Sequence, residues 1–99
     1  MEIIRGTTPT IQFSFSTINA EDITVAYLVI SQNGNTVIER SDGEVIDGKL
    51  SYTLTQDETL ALNTKQFAKV SLDWKAGATR GRSKVFEASV QNSNKNEVI

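Results

Sequence analysis

Apolar and polar residues alternate one by one along much of this chain. Ile11, Phe13 and Phe15 alternate with Gln12, Ser14 and Ser16, and Leu50, Tyr52 and Leu54 alternate with Ser51 and Thr53. Ala68, Val70, Leu72 and Trp74 alternate with Lys69, Ser71 and Asp73, and Phe86, Ala88 and Val90 repeat the pattern within 83–91. A period of two places one apolar face on each segment, which predicts half-buried β-strands. Residues 23–32 depart from it, because both parities are apolar: Ile23, Val25, Tyr27 and Val29 on one, Ala26, Leu28 and Ile30 on the other. Such a strand is either central and covered twice, or it shows its second face to a partner. Between Leu54 and Ala68 the period changes. Thr55 followed three residues later by Glu58 is a capping-box signature, since the hydroxyl and the carboxylate can each accept from orphan amides of a first helical turn. Leu60 and Leu62 then supply apolar contacts to close that turn over one end of a sandwich.

Turn signals divide the rest. Pro9 removes a ladder donor, which suits an edge or a kink where a first strand passes from one sheet to the other. Asn33-Gly34 predicts a type I′ hairpin, with 36–40 returning. Asp42-Gly43 and Asp47-Gly48 punctuate the next stretch and leave Val45 and Ile46 as a very short strand or a loop plug. Residues 75–82 read as a glycine-bearing hairpin loop, and 92–99 as a polar tail with Val98 and Ile99 as a sticky end. Six to seven short strands with one short helical turn near 56–62 predict an all-β fold, an antiparallel immunoglobulin-like β-sandwich occupying 1–91 as a single domain; an open barrel is the alternative.

Composition narrows the function classes. Ninety-nine residues with 38% hydrophobic and 22% charged content match an ordinary globular domain. A net charge of −2 gives no electrostatic footprint for nucleic acid or an anionic membrane, so neither is an expected partner. The chain has no cysteine, which excludes disulfides and thiolate metal sites, and no histidine, which removes the commonest general base and transition-metal ligand. The N-terminal residues lack a secretory pattern and no apolar run approaches the roughly 20 residues of a membrane helix, so a cytoplasmic product is expected.

Each candidate for chemistry has a plainer role. Asp42, Glu44 and Asp47 could offer oxygens to a hard cation, but Asp-Gly is what tight turns require and the EF-hand spacing is absent. Asp57 and Glu58 could act as paired carboxylates, but they fall in a predicted first helical turn, where negative charge complements the macrodipole. Arg80, Gly81 and Arg82 could grip an anion, and a carboxylate-rich surface of a neighbouring subunit suits the acidic chain better than a phosphate. Trp74 with Tyr27 and Tyr52 could stack on a sugar ring, yet the inward parity of Trp74 predicts a core side chain, with a cost of about 3–5 kcal/mol on truncation to alanine. No catalytic residue, metal ligand or cofactor site is expected.

The segments IIRGTTPTIQFSF, YTLTQDETLAL and VSLDWKAGATRGRSKVFEASV resemble small proteins encoded among phage and prophage structural genes, and are similar to the N-terminal β-sandwich of phage baseplate upper proteins. The resemblance covers most of the chain and its motifs are architectural. It implies a non-enzymatic assembly role through sheet edges and loops, with other virion proteins or copies of itself as partners, homo-oligomers included. Proteins of that family continue into long further domains that these residues do not include, so tail, neck and head-decoration settings stand beside the baseplate. The expected location is the host cytoplasm during assembly, then the virion. The expected contact surface is one face of the doubly apolar strand, Ala26, Leu28 and Ile30, together with Arg80 and Arg82. A carbohydrate-binding or adhesion module is the alternative.

Overall fold

The computed structural model describes residues 1–83 and 85–93. In chain order its strands are β1 (Glu2–Ile4), β2 (Thr10–Phe13), β3 (Val25–Gln32), β4 (Asn35–Arg40), β5 (Glu44–Ile46), β6 (Lys49–Thr53), β7 (Ala68–Ala76), β8 (Thr79–Arg82) and β9 (Phe86–Gln91), with a single-turn helix α1 (Gln56–Leu60) and a 3-10 turn at Ala20–Asp22. They form two sheets of an all-β sandwich. The larger runs β1-β9-β7-β3-β4, with β8 also on β7, and the smaller runs β2-β6-β5. The polar tail beyond Ser93, with Val98 and Ile99, lies outside the described residues.

Two features differ from the purely antiparallel sandwich of six to seven strands. The first strand is split: β1 lies parallel beside β9 in the larger sheet, whereas β2 is antiparallel to β6 in the smaller. Pro9 marks the crossing, and its carbonyl accepts from the Leu54 amide at 2.9 Å. The predicted hairpin loop at 75–82 is itself extended. β7 continues to Ala76, and Ala76 pairs with Thr79, so the turn is only Gly77-Ala78. Asn33-Gly34 at φ 52° and 78° and Asp47-Gly48 at φ 51° and 75° form the turns their residues predict, both in the left-handed region a type I′ turn needs, whereas Asp42-Gly43 forms no turn and leads irregularly into β5.

β3 and β7 pair over seven residues, from Val25↔Lys75 to Ser31↔Lys69. Ala26, Leu28 and Ile30 lie opposite Trp74, Leu72 and Val70, whose parity faces the smaller sheet. There they meet Ile11, Phe13, Leu50, Tyr52 and Leu54 in one apolar core. This corrects the expected contact face. Ala26 is 8% exposed and Leu28 and Ile30 are 0% exposed, whereas Val25 and Tyr27, of the opposite parity, are 43% and 45% exposed. A register fixed by hydrogen bonds moves a whole parity at once, so pairing with the inward side of β7 commits these three residues to the interior. Trp74 also faces inward but is half-buried at the end of the core, edge-on to Phe15 at 5.7 Å.

α1 closes the sandwich and ties distant segments to it. Both capping-box bonds are present: Glu58 N donates to Thr55 Oγ1 at 3.1 Å and Thr55 N donates to Glu58 Oε1 at 2.9 Å. Arg40 reaches the same Glu58 oxygen at 2.7 Å and the Thr53 carbonyl at 3.0 Å, while holding Asp42 through two bonds of 2.7 and 2.8 Å. The hydrogen bond between them holds Arg40 above its ordinary pKa and Asp42 below its own. Thr59 is fully buried; its hydroxyl accepts from Gly6 N at 3.0 Å and donates to the Thr7 carbonyl at 2.8 Å. Arg5 donates to the Leu60 carbonyl at the helix end. Beyond the helix, buried Gln32 exchanges bonds with Asn63 and donates to the Gln66 carbonyl, seating the lead into β7.

The Tyr52 hydroxyl is buried without a hydrogen-bond partner among the described residues, and burial, with a smaller contribution from Asp42, pushes its pKa up to about 12. Its folded pKa is therefore raised above the unfolded value of about 10, so the stability this group contributes is fully present below pH ~10 and is lost as pH rises toward ~12. Tyr52→Phe loses no hydrogen bond and is expected to leave stability at pH 7 unchanged or higher. Chemical denaturation from pH 8 to 12 checks this: the variant should lose less stability than the parent between pH 10 and 12.

Candidate functional site

The outer face of the larger sheet sets two exposed apolar residues of β3, Val25 and Tyr27, beside charged residues of β7 and β8. Cross-strand register sorts them into rows. Tyr27 lies opposite Asp73, which lies opposite Arg82; Val25 lies opposite Lys75, which lies opposite Arg80. These side chains share one face because residues paired across a sheet point the same way. Together with Trp74 and Gly81 they line an open cleft of about 760 Å³. Arg80 and Arg82 therefore sit on a strand rather than at a loop tip, beside Val25 and Tyr27 rather than Ala26, Leu28 and Ile30.

Gly81 explains how this strand lies so close. It is paired with Trp74 on the inner side, and a Cβ at this position would fall within the indole ring. The tryptophan packs against bare backbone, which brings β8 flat against β7 and turns both arginines outward. Its indole belongs mainly to the core edge, so Tyr27 is the well-exposed ring of the cleft.

The two rows differ electrostatically. In the first, Asp73 forms an ion pair with Arg82, and that hydrogen bond raises the Arg82 pKa. In the second, Lys75 and Arg80 are directly opposed cations, and neither forms an ion pair among the described residues. Like charges in direct cross-strand register repel, so the face as a whole favours an anionic or hydrogen-bond-accepting group.

The remaining candidates take structural positions. Asp42 is bound by Arg40, Glu44 lies on β5, and Asp47 occupies the turn before β6. Among the described residues no three His, Cys, Asp or Glu side chains are grouped to hold a metal ion. Asp57 and Glu58 sit in the first turn of α1, with Glu58 committed to the cap and to Arg40. No helix among the described residues is long and apolar enough to cross a membrane. Neither a protein-family model nor a curated protein matches the chain.

Val25 and Tyr27, rather than Ala26, Leu28 and Ile30, form the exposed parity of β3. Both parities of the strand are apolar, so the signal that could have placed them was indirect: antiparallel pairing with the unambiguous strand at Ala68–Ala76. If Lys75 and Arg80 repel as their register implies, Arg80→Glu converts a like-charge pair into an opposed one. The melting temperature should then rise by a few degrees at low salt, and the gain should vanish at high salt. Thermal melts at two ionic strengths check this, and an unchanged or lowered low-salt melting temperature contradicts it.

Proposed function

We propose that this chain is a non-enzymatic structural module of a phage or prophage virion that acts through protein–protein contacts on the outer face of β3, β7 and β8. The observation that carries the reading is the cleft itself: an aromatic ring, an aliphatic side chain and two guanidinium groups, displayed side by side on a paired, rigid sheet surface. Tyrosine and arginine are the residue types that dominate contact energies at protein interfaces, and a sheet pre-organises them at low entropic cost. The resemblance of the Ile3, Tyr52 and Val70 segments to phage baseplate upper proteins supports the virion setting, with tail, neck and head-decoration positions alongside the baseplate. Assembly then begins in the host cytoplasm and ends in the particle.

The sandwich is of immunoglobulin type in this reading. In support, the smaller sheet β2-β6-β5 corresponds to the B-E-D order, and β9-β7-β3-β4 to G-F-C extended by C′. A carbohydrate-binding module is the second reading. It draws on Tyr27 alone, since the Trp74 ring is packed against Gly81 and Phe15.

Co-purification with the products of neighbouring genes, with light scattering on the same samples, tests the assembly role. The expected outcome is capture of a virion protein or a self-associated species, weakened by Tyr27→Asp without loss of folding. A strict monomer at high concentration that captures none of those products contradicts it, and a silent glycan array removes the second reading.

A further inference from the structure

Among the described residues β8 pairs only with β7, which leaves the larger sheet an edge there. Because Ala76 and Thr79 flank a two-residue turn, hydrogen-bonded pairs alternate from there. Thr79 and Gly81 thus bond to β7, and Ser83 N continues the series to the Leu72 carbonyl at 2.8 Å. The backbone groups of Arg80 and Arg82 consequently point away from β7 on a strand edge open to pairing. Beside this edge lies the uncompensated pair of cations, Lys75 and Arg80.

The smaller sheet has an edge of complementary character. Among the described residues β5 pairs only with β6, and the turn at Asp47-Gly48 leaves the Val45 backbone groups facing outward by the same alternation. Val45 and Ile46 are 41% and 46% exposed, which is unusual for two adjacent apolar residues on a free edge. Glu44 and Asp47 flank them, and neither forms an ion pair among the described residues.

Symmetric pairing fails at both edges. Two β8 strands would bring Arg80 and Arg82 against their copies, and two β5 strands would bring Glu44 and Asp47 together, each a like-charge juxtaposition. Pairing β8 of one molecule with β5 of another sets Arg80 beside Glu44, neither of which forms an ion pair among the described residues, and covers the exposed edge at Val45 and Ile46. We propose that the β5 edge of a second copy of this chain adds to the β8 edge, with Glu44 meeting Arg80. This rests on the reading of the protein as a contact module. Since the two edges belong to different sheets, one molecule can use both, and the contact is head-to-tail, closing into a ring or extending as a filament.

Sedimentation velocity and light scattering on the full chain, over a concentration series at low and high salt, test the proposal with Arg80→Glu and Glu44→Lys measured separately and mixed. The parent protein should gain mass with concentration and lose it with salt. Each variant, shown folded by its thermal melt, should self-associate roughly tenfold more weakly or worse. An equimolar mixture should recover association, because each variant retains the edge the other lacks. A parent that stays monomeric throughout, variants that associate as the parent does, or a mixture no heavier than its components overturns the contact. A monomeric parent that still captures a neighbouring virion protein refutes the head-to-tail contact while leaving the assembly role standing.

Discussion

The antiparallel register between β3 and β7 is the constraint on which the rest of the molecule depends. Seven consecutive pairs lock the two longest strands together, and their shared parity decides what is core and what is surface. Inward, Ala26, Leu28 and Ile30 join Leu72 and Val70 beneath the smaller sheet. Outward, the same register lines up Val25 and Tyr27 with Lys75 and Asp73, and the tight Gly77-Ala78 turn adds Arg80 and Arg82 to those rows. A one-residue slip would bury the charges and expose the leucines. The make-up of the outer face therefore follows from the same hydrogen bonds that build the core.

A second layer of specificity comes from polar side chains that tie loops to this frame. Thr59 serves both Gly6 and Thr7 from a fully buried position, and Gln32 holds the segment leading into β7. Groups buried in this way stabilise only when their partners are all present, so they define where α1 can sit. Arg40 adds to this by joining the β4 edge to the helix cap through Glu58. Exposed ion pairs such as Arg82 with Asp73 contribute little to stability, and their value lies in how they pattern charge on the outer face.

Much of this was legible in the residues. The capping box at Thr55 and Glu58, the Asn33-Gly34 hairpin, the crossing at Pro9 and the inward parities of Leu50, Tyr52, Leu54 and Ala68 to Leu72 all depend on neighbours within a few positions, where propensity and period act directly. The parity of β3 was not legible, because with apolar residues on both sides only the distant partner strand selects the buried one. β8 was missed for a different reason: Thr-Arg-Gly-Arg has no apolar alternation, and it is held extended by pairing with β7 and by the indole lying over Gly81. The parallel placement of β1 beside β9, like the reach of Arg40 to Glu58, joins residues far apart in sequence and leaves no local trace.

On β3, Leu28 faces the core and Tyr27 the exposed outer face, and everything else follows from that orientation. Chemical denaturation of Leu28→Ala and Tyr27→Ala under identical conditions tests it most directly. The structure predicts a loss of about 2–5 kcal/mol for Leu28→Ala, from lost burial and the cavity left behind. For Tyr27→Ala it predicts a change of less than about 1 kcal/mol, typical of a surface position. The reverse ordering, with Tyr27 costly and Leu28 nearly neutral, would mean that the strand lies the other way up and that the outer face described here is the core.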